Sequence, residues 1–151
     1  MLRILFFKEQ FFLIILIATM HILAMELYWY WQFLWLDILM HFLGGLWVAL
    51  ASFWILGIFK NHTSYIQSKK QAIIFALVSA LFIGVLWEVF EYISDIAVTS
   101  EAYWPDTTLD LIMDSLGGVL AGLYAWKVLL LKKTESFISV KAKITIGTYE
   151  Q

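Results

Sequence analysis

Residues 71–93 read QAIIFALVSALFIGVLWEVFEYI. From Ala72 to Trp87 the only hydrophilic side chain is Ser79, and two glutamates, Glu88 and Glu91, then enter the final turns. A helix rises about 1.5 Å per residue, so roughly 20 mostly apolar residues cross a hydrocarbon core about 30 Å thick. The stretch from about Ala72 to Ile93 meets that requirement. Working outward, three more stretches meet it: Phe11 to Tyr28, Leu36 to Phe59 and Leu109 to Leu131. The composition agrees. Hydrophobic residues make up 62% of the 151 and charged residues 15%, against about 45–50% and about 25% in soluble domains; mean hydropathy is +0.82. The expected fold is all-α: a polytopic four-helix transmembrane bundle over residues 1–133, followed by a tail over 134–151.

Between the spans lie an aromatic turn at Tyr30 to Trp35, a polar loop at Lys60 to Gln71, and a loop at Ser94 to Thr108 that carries the only proline, Pro105. In the tail, alternation around Val140 to Ile146 is compatible with a short strand or with no order. Arg3 and Lys8 followed by an apolar run also fit a signal peptide, but no small-x-small cleavage pattern follows Ala24, so the run is read as a retained first helix. There are no cysteines, which excludes disulfides, thiol catalysis and thiolate metal sites.

The net charge of -2 conceals a segregation of sign. Arg3 and Lys8 precede the first span; Lys60, Lys69 and Lys70 lie between the second and third; Lys127, Lys132, Lys133, Lys141 and Lys143 end or follow the fourth. All ten basic residues thus fall on one side, and the positive-inside rule makes that side cytoplasmic, with both termini there, in the cell membrane. Tyr28, Trp29, Tyr30, Trp31 and Trp35, with Tyr103 and Trp104, then form an aromatic belt at the outer interface, read as anchors. Lysines along a cytoplasmic membrane surface give no support for nucleic-acid binding.

The acids gather on the other side. The second span descends with Asp37 at its outer end and His41 one turn deeper on the same face. The third ascends to Glu88 and Glu91, and the fourth descends from Asp110 to Asp114. Small residues continue each stripe inward, as close helix approach in lipid requires: Gly44, Gly45 and Ser52; Gly84 and Ala80; Gly118 and Gly122. The acidic and packing faces coincide, so the carboxylates are expected to point into the bundle.

An ionisable side chain at the centre of a membrane helix costs about 2.5–3.5 kcal/mol, and less near the interface. Five carboxylates and one imidazole without a lysine or arginine leave two remedies: some acids stay protonated, or a bound cation neutralises them. We read the cluster as a divalent-metal site for Mg²⁺, Mn²⁺, Ca²⁺, Fe²⁺ or Zn²⁺. His41, Glu88, Asp110 and Asp114 are the expected ligands, and Glu91 and Asp37 the expected general base or orienting groups. Carboxylate-bridged two-metal bundles use similar elements, but with a Glu-x-x-His pair that this chain lacks; one metal is expected, with two open. The competing reading is that acids near helix ends face water or gain about 0.3–1 kcal/mol from a helix N-terminus; it suits Asp37, Asp110 and Glu91 better than the deeper Glu88, Asp114 and His41. His21 and Glu26 lack a supporting spacing. Asp95, Glu101 and Asp106 read as solvated loop acids, and His62 as part of the cytoplasmic loop.

Three blocks carry a resemblance: Asp37-Ile-Leu-Met-His41-Phe42 with Gly44 and Gly45; Trp87-Glu88-Val-Phe-Glu91-Tyr92; and Asp106-Thr-Thr-Leu-Asp110-Leu-Ile-Met-Asp114 with Gly117 and Gly118. Together they resemble the YjdF-like family of small bacterial membrane proteins over about residues 37 to 122. More distantly they are similar to VanZ-like proteins, which share an Asp-x-x-x-His helix, a glutamate helix and an Asp-led helix ending in glycine. The chain departs from VanZ-like proteins in having Ile38 after the first aspartate and no outer arginine. That resemblance implies activity at the outer face of the cytoplasmic membrane, where VanZ-like members act in glycopeptide resistance.

Two functional classes follow. One is a metal-dependent enzyme acting on a lipid or lipid-linked headgroup in the outer leaflet. The other is a non-catalytic ion-binding, transport or accessory membrane protein; the inner halves of the spans hold almost no ionisable residue, so a polar route to the cytoplasm would need oligomerisation. No nucleophilic serine constellation, phosphate-cradling glycine loop or arginine clamp points to a particular reaction.

Overall fold

A computed structural model describes residues 6–59, 66–94 and 103–149. Its elements are α1 (Phe7–Glu26), α2 (Trp29–Gln32), α3 (Trp35–Phe59), α4 (Lys69–Ile93) and α5 (Tyr103–Tyr149). The four long helices are each apolar and long enough to cross a membrane, and the described residues contain no strand. The all-α four-span bundle is therefore the observed architecture.

The two largest departures from the expected boundaries lie at the ends of α5, each for a local reason. Residues 103–108, read as loop, form the first turns of α5. Pro105 does not prevent this, because the first four N–H groups of a helix have no intrahelical acceptor and a proline there forfeits no bond. Most of the tail is helical as well: α5 runs for 47 residues to Tyr149, so the strand alternative near Val140 is not realised. A lone strand would leave its backbone unpaired, whereas a continuing helix satisfies each N–H internally. At about 70 Å, α5 extends well past a hydrocarbon core of about 30 Å.

At the start of α4, Ser68 and Gln71 form a reciprocal cap. The Gln71 N–H donates to Ser68 Oγ at 3.2 Å, and the Ser68 N–H to Gln71 Oε1 at 3.2 Å. This capping box sets the helix start at Lys69, three residues before the apolar run.

Helices α3, α4 and α5 pack against one another, while α1 leans mainly on α3. The buried residues of α4 are Ala72, Ala76, Ala80, Gly84 and Glu88, one at every fourth position. Against that small-residue stripe lies the glycine edge of α5. A Cβ at Gly118 would sit 2.9 Å from Ala80 Cβ, and one at Gly122 would sit 2.8 Å from Ile73 Cα. The α3–α5 seam is closer still: a Cβ at Gly117 would run into Phe42 O and come within 2.6 Å of Leu46 N. In lipid no hydrophobic force distinguishes helix–helix from helix–lipid contact, so this backbone proximity supplies the packing energy.

The large apolar side chains take the complementary surfaces. Phe12, Phe82, Ile93 and many others are exposed, as lipid contact requires. At the end of the bundle away from α2, Phe6, Phe53, Ala49, Ala121 and Ala125 form an apolar plug, with the Phe53 and Phe75 rings edge to face at 5.0 Å. An open apolar groove between α1 and the α3–α5 pair is lined by Phe12, Leu16, Leu46 and Leu120, with the Tyr124 hydroxyl donating to Glu9 Oε1 at 3.0 Å. None of the acids singled out in the sequence lines it.

Candidate metal centre

The cluster forms where three helices of alternating direction reach the same depth. His41 lies six residues into α3, Glu88 five residues from the end of α4, and Asp110 seven residues into α5. At 1.5 Å per residue, each is about 7–11 Å from its helix end. The glycine and alanine stripes bring these helices close enough for short acidic side chains to meet.

His41 is the hub. Its Nε2 lies 3.9 Å from Asp110 Oδ1 and 4.0 Å from Glu88 Oε1, and its Nδ1 lies 3.4 Å from Asp114 Oδ2. His41, Glu88, Asp110 and Asp114 are all buried, with relative exposures of 7%, 5%, 2% and 5%. Asp37 and Glu91 are half-buried. Potential ligand atoms of Asp37, His41 and Asp110 lie within 4.8 Å of one another, as do those of His41, Glu88 and Glu91. The structure therefore brings together all six residues selected from the sequence.

Two further observations bear on what the cluster can hold. Glu88 Oε2 accepts from Thr107 Oγ1 at 2.7 Å, but Oε1 is buried with no hydrogen-bond partner. A buried acceptor left this way costs about 1–3 kcal/mol, more if charged. Glu88 and Glu91 also stand at the C-terminal end of α4, where the helix dipole disfavours negative charge. Among the described residues, His41 is the only basic side chain within ion-pair distance of these acids. One imidazole faces five carboxylates.

The separations suit a cation. Two donors each about 2.1 Å from one ion stand at most about 4.2 Å apart. The 3.9 and 4.0 Å gaps from Nε2 to Asp110 and Glu88 each lie within that span, while the two donor triads to which these acids separately belong extend to 4.8 Å.

Two polar groups that were not selected from the sequence complete the surroundings. Thr107 fixes Glu88 and lies three residues before Asp110, on the same face of α5; that i,i+3 relation was hidden while 103–108 were read as loop. Tyr30 on α2 lies near Asp37 and Glu91. Its hydroxyl pairs with His21 Nδ1 at 2.8 Å, and its pKa is pushed up to about 12 by burial first, then by the negative charges of Asp37 and Glu91. No spacing signal marks Tyr30, since it approaches these acids from the short helix α2. Its neighbours Tyr28, Trp31, Trp35 and Trp104 are exposed, in keeping with anchoring.

The remaining sequence candidates separate cleanly. Glu91 accepts from Trp87 Nε1 at 2.9 Å, one turn away. His21 and Glu26 are exposed on α1, and His21 approaches the cluster only through Tyr30. Asp106, expected in a loop, is half-buried in the first turn of α5. His62, Asp95, Glu101 and the Tyr103 side chain lie outside the described residues.

No curated protein and no solved structure matches the chain. A family model described as a predicted membrane protein (DUF2238) matches residues 3–130, which includes every residue of the cluster. The match agrees with the YjdF-like blocks of α3, α4 and α5; it does not show the similarity to VanZ-like proteins. By that coverage the chain belongs to the DUF2238 family of predicted membrane proteins, the YjdF family.

Proposed function

We propose that the chain binds one divalent cation in the cluster around His41 and uses it as a metal-dependent enzyme on a lipid or lipid-linked headgroup. The observation that carries this reading is Glu88 Oε1, a buried carboxylate oxygen without a hydrogen-bond partner that faces the only imidazole among five acids. His41 anchors the ion, and Asp110 and Glu88 are the buried carboxylates of the two donor triads that share it. One ion is preferred to two because Asp114 occupies the second ring nitrogen of His41, which leaves a single nitrogen for both donor triads to share.

The enzymatic part of the reading rests on depth and on the two half-buried acids. A site about 7–11 Å from the helix ends is within reach of a headgroup, and Asp37 and Glu91 stand between the buried donors and those helix ends. There they serve to take up or orient a proton from an attacking water, with Trp87 holding Glu91. The bound cation would supply charge neutralisation of a phosphate or activation of water. Conduction is disfavoured by the plug of Phe6, Phe53 and Phe75, which closes the described core below the cluster. The positive-inside distribution puts the site at the outer leaflet of the cell membrane with both termini cytoplasmic. Single cysteines introduced at Gln32 and Gln67 of this cysteine-free chain should then react with impermeant maleimide from outside and from inside, respectively.

The burial of the four inner residues favours a second reading, a cation held only to brace three helices. Water-proton relaxation of the Mn²⁺-loaded protein separates the two: an enzyme keeps an exchangeable water on the ion, and a brace does not. The primary test is elemental analysis of purified protein beside His41→Ala and Glu88→Gln. Near-stoichiometric metal in the wild type and its loss in both variants is expected. Negligible metal in all three, with no uptake on titration with Mn²⁺ or Zn²⁺, would remove the proposal.

A further inference from the structure

Asp110 and Asp114 stand one turn apart on α5, and spacing alone makes them equivalent ligands. Their geometry differs. Asp110 Oδ1 faces His41 Nε2, together with the unpartnered Glu88 Oε1, whereas Asp114 Oδ2 faces Nδ1 on the other side of the ring. A neutral imidazole carries its proton on one nitrogen and its lone pair on the other. A carboxylate at Nδ1 holds the proton there and turns the Nε2 lone pair towards Asp110 and Glu88.

The position of Asp114 is itself built. A Cβ at Gly84 of α4 would collide with Asp114 Oδ2 and come within 3.1 Å of its Cγ. A Cβ at Gly45 of α3 would collide with the Asp114 carbonyl oxygen and come within 2.6 Å of its Cα. The two glycines thus leave room for this carboxylate against the imidazole. A glycine cradle and an acidic cluster would not alone indicate a ligand. The independent sign is Glu88 Oε1, on a side chain only 7% exposed and aimed at Nε2 without a hydrogen bond.

Resting on the cation-binding reading above, we infer that Asp114 is a positioning residue rather than a ligand: from its glycine cradle it orients His41 so that Nε2 faces Asp110 and Glu88, the buried carboxylates of the two donor triads that share His41, in a one-nitrogen, carboxylate-rich site selective for Mn²⁺, Fe²⁺ or Zn²⁺. An oriented imidazole favours these cations over Mg²⁺ and Ca²⁺, which take oxygen donors and gain little from a nitrogen. The selectivity thus comes from a residue that does not touch the ion.

The test uses the full-length protein in nanodiscs, stripped by chelation and titrated with Mn²⁺, Zn²⁺, Mg²⁺ and Ca²⁺. The wild type should bind one Mn²⁺ or Zn²⁺ far more tightly than Mg²⁺ or Ca²⁺. Asp110→Asn and Glu88→Gln should lose binding, whereas Asp114→Asn, which keeps the shape, should retain one ion with about 10–100-fold weaker affinity. Gly84→Ala, which removes no donor, should weaken binding in the same direction. With Cu²⁺ as a spin probe, electron-spin-echo modulation reports the remote ring nitrogen; Asp114→Asn should change its quadrupole coupling while keeping one coordinated imidazole. Loss of binding in Asp114→Asn as complete as in Asp110→Asn, coordination through Nδ1, or tighter binding of Mg²⁺ or Ca²⁺ would overturn the inference and leave cation binding standing. Absence of any binding by the wild type would instead overturn the cation reading.

Discussion

Replacing Gly45 by alanine adds one methyl group at a place where the opposing atoms belong to a backbone. The new Cβ would collide with the Asp114 carbonyl oxygen and lie 2.6 Å from Asp114 Cα and 2.8 Å from its carbonyl carbon. No rotamer change relieves such a contact, so α3 must move from α5 by about an ångström, a form of overpacking that costs roughly 1–3 kcal/mol. The neighbouring Gly44 provides the control. A Cβ there meets only Asp114 Oδ1, at 4.0 Å, which is ordinary contact. Both substitutions gain about 1 kcal/mol of helix propensity, so that gain cancels in the comparison. Gly45→Ala should be less stable than Gly44→Ala by about 1–3 kcal/mol, measured by reversible unfolding in mixed detergent micelles with tryptophan fluorescence. The movement also has a functional consequence. His41 Nδ1 and Asp114 Oδ2 already stand 3.4 Å apart, near the limit of a hydrogen bond, so Gly45→Ala should weaken metal binding as well. Equal or greater stability of Gly45→Ala would refute the close α3–α5 seam and the cradle built on it.

Three further outcomes are expected. Saturating metal at about 100 times its Kd should raise unfolding free energy by about 2.7 kcal/mol over the chelated protein; an unfolding midpoint indifferent to Mn²⁺ and Zn²⁺ would contradict the site. Thr107→Val keeps the side-chain shape but removes the hydroxyl that donates to Glu88 Oε2 at 2.7 Å, so metal affinity should fall by about 10-fold with little change in fold, by isothermal titration. The third concerns pH. Tyr30 ionises near 12 in the folded protein against 10.0 ordinarily. Its stabilising contribution is therefore complete below pH 10 and is lost as pH rises from 10 to about 12, where the unfolded chain releases this proton and the folded one does not. Tyr30→Phe should flatten that alkaline loss, and Asp37→Asn should lower the pH at which tyrosinate absorbance from Tyr30 appears, because one of the opposing charges is gone.

Much of the site was legible because lipid makes polar residues conspicuous. Asp37 and His41, Glu88 and Glu91, and Asp110 and Asp114 stand out against apolar runs at helical spacing, and small residues one turn inward identify the buried face. Tyr30 was not legible in this way: it approaches Asp37 and Glu91 from the short helix α2 and has no periodic relation to the acids. Thr107 was hidden for a different reason, since a proline two residues earlier suggests a loop, and only the backbone shows that Pro105 falls where a helix has no N–H to lose. The tail misled through its alternating pattern; without a partner strand, continuing the helix of α5 was the arrangement that satisfied its backbone.

The amino-acid sequence by itself determined that the chain spans a membrane with four helices and that its acids lie on their packing faces, because hydrocarbon admits long apolar segments and forces ionisable groups inward. It could not distinguish Asp110 from Asp114, which occupy the same stripe. The tertiary structure decided that, through Gly45 and Gly84: these residues come from two different helices, and only their meeting point on α5 leaves space for the Asp114 carboxylate against Nδ1 and turns Nε2 towards Asp110 and Glu88. Helix periodicity places residues on a face, but the contacts between faces depend on how closely three backbones approach.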